Sequence, residues 1–236
     1  MRNLFVVAIV AAAALLAAPA IAADYPEYPT YPQIELPPLP QVDNGLNGGF
    51  YLRGSVGGNL WSASDGQYCN CVTSFSGVGY GYSLGVGFGY ETGTGLRTDL
   101  TIDYLSNDKL PAHDAYTVNL RSGLVLANIY HDFKLYDGGA AGGGFGAYVG
   151  AGLGFAESYT EVMNGGTRES YGNSAEAAAA LMAGVSYDMG TAVAELGWRG
   201  IYMNKVMSQP ANISQAYIIN NNFINELRAS IRYRFN

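Results

Sequence analysis

The sequence predicts an all-β chain: an eight-stranded antiparallel up-and-down transmembrane β-barrel behind a disordered, proline-rich lead. Three observations carry this prediction. Charged residues make up only 13% of the 236 residues, against roughly 25% in an ordinary soluble domain. Glycine and tyrosine are abundant, at 32 and 19 residues. From Gly48 onward, apolar residues alternate with small or charged ones, in segments that reach the roughly 9 to 11 residues of a tilted strand crossing a bilayer. The formal net charge of −7 argues against a nucleic-acid partner, which calls for a basic patch.

The chain opens with Arg2, a short apolar run from Leu4 to Leu16, and the small-residue pattern Ala20-Ile21-Ala22. That order is a secretory signal peptide over residues 1–22, cut after Ala22. Residues 23–47 follow as a lead that holds most of the prolines, in "DYPEYPTYPQIELPPLPQVD". Proline removes a backbone donor and holds the chain extended, so this segment reads as a periplasmic tether. After Ala22 no run approaches the roughly 18 to 20 apolar residues of a spanning helix. A mature chain that enters a membrane must then do so as a closed barrel, residues 48–236, because closure pairs every strand backbone group.

Eight segments alternate as strands: about Gly49–Trp61, Val78–Glu91, Leu96–Leu105, Tyr116 to about Ile129, Phe145–Ala156, Ala175–Asp188, Ala192–Met203 and Phe223–Phe235. Gly93–Gly95 and Met189–Thr191 read as tight turns and Leu135–Gly144 as a longer glycine-rich one. Residues 62–77, 106–115, 157–174 and 204–222 read as long loops. Short turns at one end and long loops at the other are the arrangement of an outer-membrane barrel, with the long loops outside the cell.

The two faces of each strand then divide the chemistry. In "NELRASIRYRFN", Leu227, Ala229, Ile231, Tyr233 and Phe235 alternate with Glu226, Arg228, Ser230, Arg232 and Arg234. An arginine in lipid at the bilayer midplane costs about 2–4 kcal/mol, so the apolar face looks at lipid and the charged face looks inward. An eight-stranded interior is about wide enough for side chains to fill it. The residues assigned to that interior are Arg53, Arg97, Asp99, Asp103, Arg121, Glu176, Glu195, Arg199, Glu226, Arg228 and Arg232, with Glu91, Asp188 and Arg234 on the same face. Opposite charges there can pair, which a buried charge requires. The glycines of the second strand leave room for bulky neighbours. Phe50, Trp61, Tyr90, Tyr104, Phe145, Phe155, Tyr187, Trp198, Tyr202, Tyr233 and Phe235 are expected in two interfacial girdles. One place breaks the alternation: in "NIYHDFK", Asp132 and Lys134 fall on the lipid phase of the fourth strand, so either the strand has left the membrane or a bulge switches its phase.

Four stretches, "NIYHDF", "AYVGAGLGFA", "ELGWRGIY" and the closing "ELRASIRYRF", resemble the eight-stranded outer-membrane barrels of the OmpA/OmpX type. The sequence is most similar to the opacity-type surface-antigen barrels of alphaproteobacteria. Here Trp198 and Gly200 flank Arg199 where that family carries tyrosines, and Asn236 follows the terminal aromatic. The resemblance implies an outer-membrane location among lipid and lipopolysaccharide, and assembly through periplasmic chaperones and the barrel-assembly machinery. Tyr233 and Phe235 would then be its assembly signal. The resemblance implies no single activity, since such barrels serve as structural proteins, surface antigens, adhesins or narrow pores.

Chemistry beyond this is sparse. The two histidines, His113 and His131, each precede an aspartate but have no serine in a triad-like context. Nothing calls for a cofactor or a structural metal. Cys69 and Cys71 in "YCNC" are open to three readings: a strained loop disulfide, an intermolecular bridge, or two thiols that bind metal. Passage through an oxidising periplasm favours the disulfide. The expected role is structural or surface-interacting, antigen- or adhesin-like, exercised through the external loops on a ligand the sequence does not identify. A narrow diffusion pore is the alternative, and a lipid-modifying enzyme is disfavoured.

Overall fold

The computed structural model describes residues 48–68, 71–75, 77–112, 116–137, 143–208 and 217–235. Among the described residues ten strands form: β1 (Gly49–Ser62), β2 (Asp65–Tyr68), β3 (Cys71–Ser74), β4 (Gly79–Glu91), β5 (Leu96–Pro111), β6 (Tyr116–Asp137), β7 (Gly144–Asn164), β8 (Thr167–Asp188), β9 (Ala192–Met207) and β10 (Tyr217–Phe235). Strand β1 pairs antiparallel with β4, and β4 to β10 pair antiparallel with their neighbours in chain order. Strand β1 also pairs with β10, from Phe50 opposite Phe235 to Ser62 opposite Phe223, which closes an eight-stranded ring. Closure leaves the ring without an unpaired edge, the condition for a sheet in lipid. The β2–β3 hairpin lies outside the ring and pairs through Asp65–Tyr68 with the first residues of β10.

All eight expected strands are present, and several run on into what the sequence suggested were loops. Strands β7 and β8 stay paired from Gly144 opposite Asp188 to Asn164 opposite Thr167. They are joined through Gly165 and Gly166, with φ of 55° and 93°. Two consecutive positive φ values suit a tight hairpin turn, which glycine supplies without steric cost. Residues 157–174 are therefore a protruding hairpin, not a loop. Their polar residues ended the alternation in the sequence, yet a strand beyond the bilayer can show polar side chains to water on both faces. Lys109 and Asn221 also take positive φ, 57° and 51°. The β5–β6 register shifts between Asn107 and Leu110, a bulge that contains Lys109.

The outward face is an apolar band. On β1, Phe50, Leu52, Val56 and Leu60 are each about half exposed, and on β4 Tyr80, Tyr82, Leu84, Val86 and Phe88 likewise. From Phe50 to Leu60 the strand rises by about 25 Å, at roughly 3.3 Å per step and a roughly 40° tilt. That is the height of a lipid-facing barrel belt. Among the described residues, outward-facing charge begins only beyond Tyr104 and Phe155 on the hairpin side, at Asp108, Arg121 and Glu157. Of the aromatics expected in the girdles, Phe50, Tyr104, Phe145, Phe155, Tyr187, Trp198, Tyr202, Tyr233 and Phe235 are exposed on the outside. Tyr90 is half-buried with its ring 5.1 Å from that of Phe50, whereas Trp61 points inward, fully buried, and its indole N–H donates to Asn222 Oδ1 at 3.1 Å.

Candidate functional site: the filled barrel interior

Inward-facing side chains fall into two tiers. The tier toward the tight-turn end is ionic. Its lower part joins Arg53, Arg97, Arg232 and Arg234 to Asp99, Glu195, Asp132, Glu91 and Asp188. Glu195 is the hub there, 3.0 Å from Arg97, 2.9 Å from Arg232 and 3.5 Å from Arg53, and it accepts a hydrogen bond from Ser230 Oγ at 2.8 Å. Above this group sits a second one, in which Asp103 lies 2.7 Å from both Arg199 and Arg228, and Arg199 reaches Glu226 at 2.8 Å. Except near the mouth these side chains are almost wholly buried.

Neutral groups complete the ionic tier. Tyr51 donates to Asp99 at 3.0 Å, Asn128 donates to the other oxygen of Asp99 at 2.7 Å, and Arg53 donates to the Tyr130 hydroxyl at 2.8 Å. The Arg97 guanidinium lies 3.9 Å from the Tyr130 ring centroid, a stacking that favours arginine over lysine. Glycines admit these large groups. A Cβ on Gly85 would sit 2.9 Å from Arg228 Nη2, and one on Gly57 would sit 2.8 Å from Glu226. At the tight-turn mouth, Glu91, Asp132, Lys134, Arg232 and Arg234 line a depression of about 470 Å³.

The tier toward the hairpins is mainly apolar, with the buried hydroxyl pairs Ser122–Ser158 and Ser170–Ser208 set among its side chains. Trp61, Leu105, Leu120, Leu124, Leu126, Ile201, Met203 and Ile224 form one buried cluster with Leu110, Val118, Val162, Val206 and Ile219 farther out. Tyr217 and Phe75 close over it, their rings 6.2 Å apart. A buried leucine or isoleucine contributes roughly 1.5–3 kcal/mol against its exposure to water. The interior is thus ionic at one end and an apolar plug at the other.

This second tier corrects the reading of the fourth strand. On β6 the inward residues are Leu120, Ser122, Leu124, Leu126, Asn128, Tyr130 and Asp132, while Gly123, Val125, Ala127, Ile129, His131 and Phe133 face out. The sequence suggested the opposite phase, because leucines alternating with small residues look lipid-facing. They are apolar because they fill the plug. With the phase reversed, Asp132 enters the ionic tier and Arg121 leaves the interior. Arg121 lies outward against the β5 edge, about a third exposed, donating to Asp108 at 2.7 Å and to the carbonyls of Asn107 and Leu120. Glu176 keeps the inward phase opposite Ala156 but is only half-buried, and it forms no ion pair among the described residues. Arg53, Arg97, Asp99, Asp103, Glu195, Arg199, Glu226, Arg228 and Arg232 all lie in the ionic tier. Within "NIYHDF" alone, the polar set Asn128, Tyr130, Asp132 against Ile129, His131, Phe133 signalled the true phase.

Tyr233 and Phe235 face outward at the tight-turn end, with ring centroids 5.7 Å apart. His131 also faces outward, its ring 4.7 Å from that of Phe133. His113 and Cys69 lie outside the described residues, as does the Cys71 side chain, so the expected bridge does too.

Solved structures place this ring among known folds. Neisserial surface protein A is 23% identical over 79% of this chain and 97% of its own, with a TM-score of 0.50. The fold is that of the eight-stranded outer-membrane barrels. Two further matches are OprG, an outer-membrane protein of Pseudomonas aeruginosa, and a major outer-membrane protein of Thermus thermophilus. They share 12% and 14% identity, each over 79% of this chain and over 97% and 99% of their own, with TM-scores of 0.44 and 0.42. No protein-family model matches the sequence, and no curated protein does.

Proposed function

We propose that the chain is an integral protein of the bacterial outer membrane whose barrel is closed to solutes, and that it acts structurally or through surface contacts made by its long hairpins. The tight turns then face the periplasm, and the β7–β8 hairpin and the β2–β3 flap face outward among lipopolysaccharide headgroups. One observation carries the reading: the interior is occupied along its length, by ion pairs near one end and by the apolar plug near the other. A pore needs a continuous wet path wide enough for a hydrated ion, and an eight-stranded lumen packed with side chains offers none.

The extended hairpins supply what the interior does not. They project paired strands with exposed aromatic and charged residues, such as Tyr171 with the Arg168 guanidinium 4.3 Å from its ring centroid. An antigen- or adhesin-like contact would be made there. A lipid-modifying enzyme is not favoured, because His131 faces outward beside Phe133 with no hydrogen-bonding serine among the described residues. The test is single-channel recording in a planar bilayer with protein shown to be folded by its heat-dependent gel mobility. The proposal expects a silent bilayer; steady, reproducible openings would overturn it.

A further inference from the structure

Two amide side chains inside the barrel make no hydrogen bond among the described residues. Both polar atoms of Asn59 and both of Asn107 are buried with no hydrogen bond, and the two residues are 3% and 0% exposed. Glu226 Oε1 is in the same condition, as are Arg228 Nε and Arg199 Nε. Folded proteins seldom leave buried polar groups unpaired, because each forfeits its hydration without return.

These atoms are neighbours by register. Asn59 stands directly opposite Glu226 on β10 and opposite Gly81 on β4. Gly81 in turn stands opposite Asn107 on β5 and adds no side chain between the two amides. Across the β10–β1–β4–β5 wall, the row therefore reads carboxylate, amide, glycine, amide. It runs from the upper ion group to the base of the apolar plug. Beside it, Arg228 Nε and Glu226 Oε1 are 3.8 Å apart, an ion-pair distance too long for a direct hydrogen bond and of the kind a bridging water closes.

We propose that this row is a buried hydration site, in which ordered water joins Asn107 and Asn59 to the Glu226–Arg228 pair. The donor and acceptor inventory selects the ligand. Each amide presents one acceptor and a donor group, Glu226 Oε1 accepts, and the arginine Nε groups donate. A bound cation would satisfy only the acceptors and a bound anion only the donors. Water does both, at the two to four hydrogen bonds typical of a buried site. The site makes the barrel locally wet at the level where its ionic and apolar tiers meet, while the plug above it stays dry.

The test uses the full chain, selectively labelled on asparagine side-chain amides and on valine and isoleucine methyls, in lipid nanodiscs. Water-to-amide cross-relaxation by NMR reports water resident beside each group. The expected result is water cross-peaks at the side-chain amides of Asn59 and Asn107, with none at the methyls of Val162 or Ile219, farther out in the plug. Absence of cross-peaks at both amides would overturn the site. Asn107→Leu gives an independent reading by its sign: a hydrated amide loses its water and the urea unfolding midpoint falls. A rise in that midpoint would show a dry, unsatisfied amide whose removal is favourable, and would also overturn the proposal.

Discussion

Asp103 holds the upper ion group together, and replacing it with asparagine isolates a charge without changing shape. In the folded chain its two oxygens lie 2.7 Å from Arg199 and 2.7 Å from Arg228, with about 1% of the side chain exposed. Removing the negative charge leaves two buried guanidinium groups sharing Glu226, which is 2.8 Å from Arg199 but 3.8 Å from Arg228. With charge centres about 4 Å apart and an effective dielectric of about 20, each lost attraction amounts to about 4 kcal/mol. The several kcal/mol no longer spent desolvating a carboxylate offset part of this. The remainder falls in the range of about 3–5 kcal/mol that follows from breaking a buried pair by removing one partner. With a urea slope of about 3 kcal/mol per molar, Asp103→Asn should lower the unfolding midpoint by about 1–1.7 M in lipid vesicles, with the folded fraction read from gel mobility. Glu176→Gln, outside the network, should shift it by no more than about 0.5 kcal/mol equivalent. Adding Arg228→Met to Asp103→Asn rebalances the group and should recover much of the loss. An Asp103→Asn midpoint equal to wild type, or an equally large effect of Glu176→Gln, would refute the assignment of these charges to a buried network.

Three further outcomes follow from the same geometry. Arg121→Ala should cost at most about 1 kcal/mol in the same titration, because its pair with Asp108 is partly exposed on the outer wall. Leu126→Ala should cost about 2–5 kcal/mol, since Leu126 is fully buried in the plug and the cavity cannot collapse freely. Ile102→Arg, on the lipid face of β5, should cost about 2–4 kcal/mol in vesicles of ordinary thickness, and less if the lipid is thin enough to bring that position near the interface.

Much of this was legible in residue alternation, and the failures share one cause. The closing strand displays its two faces openly, because Arg228 and Arg232 on one side and Leu227 and Ile231 on the other differ in kind. Alternation identifies the inward face only where the interior is polar. On β6 the inward Leu120, Leu124 and Leu126 and the outward Val125 and Ile129 are both apolar, so pattern alone cannot choose. The choice depends on what stands opposite, namely Leu105, Ile201 and Ile224 from distant parts of the chain. Trp61 was misplaced for the same reason: a tryptophan near a strand end looks interfacial until Asn222 is found beside its indole nitrogen. The hairpin extensions escaped notice because beyond the bilayer no apolar face is required. The "NGG" of residues 164–166 was their one local sign. Which carboxylate meets which arginine is a matter of register between strands, and composition carries no information on it.

The most direct test of the barrel's inside and outside uses the five methyl-bearing residues among positions 124–129 of β6: Leu124, Val125, Leu126, Ala127 and Ile129. Cross-relaxation between their methyl protons and lipid acyl chains can be measured on the unaltered full chain in nanodiscs. The structure predicts acyl-chain contacts at Val125, Ala127 and Ile129 and none at Leu124 or Leu126. Contacts at the two leucines instead would return Arg121 to the interior, expel Asp132 from the ion network, and contradict the filled, two-tier barrel on which the functional proposal rests.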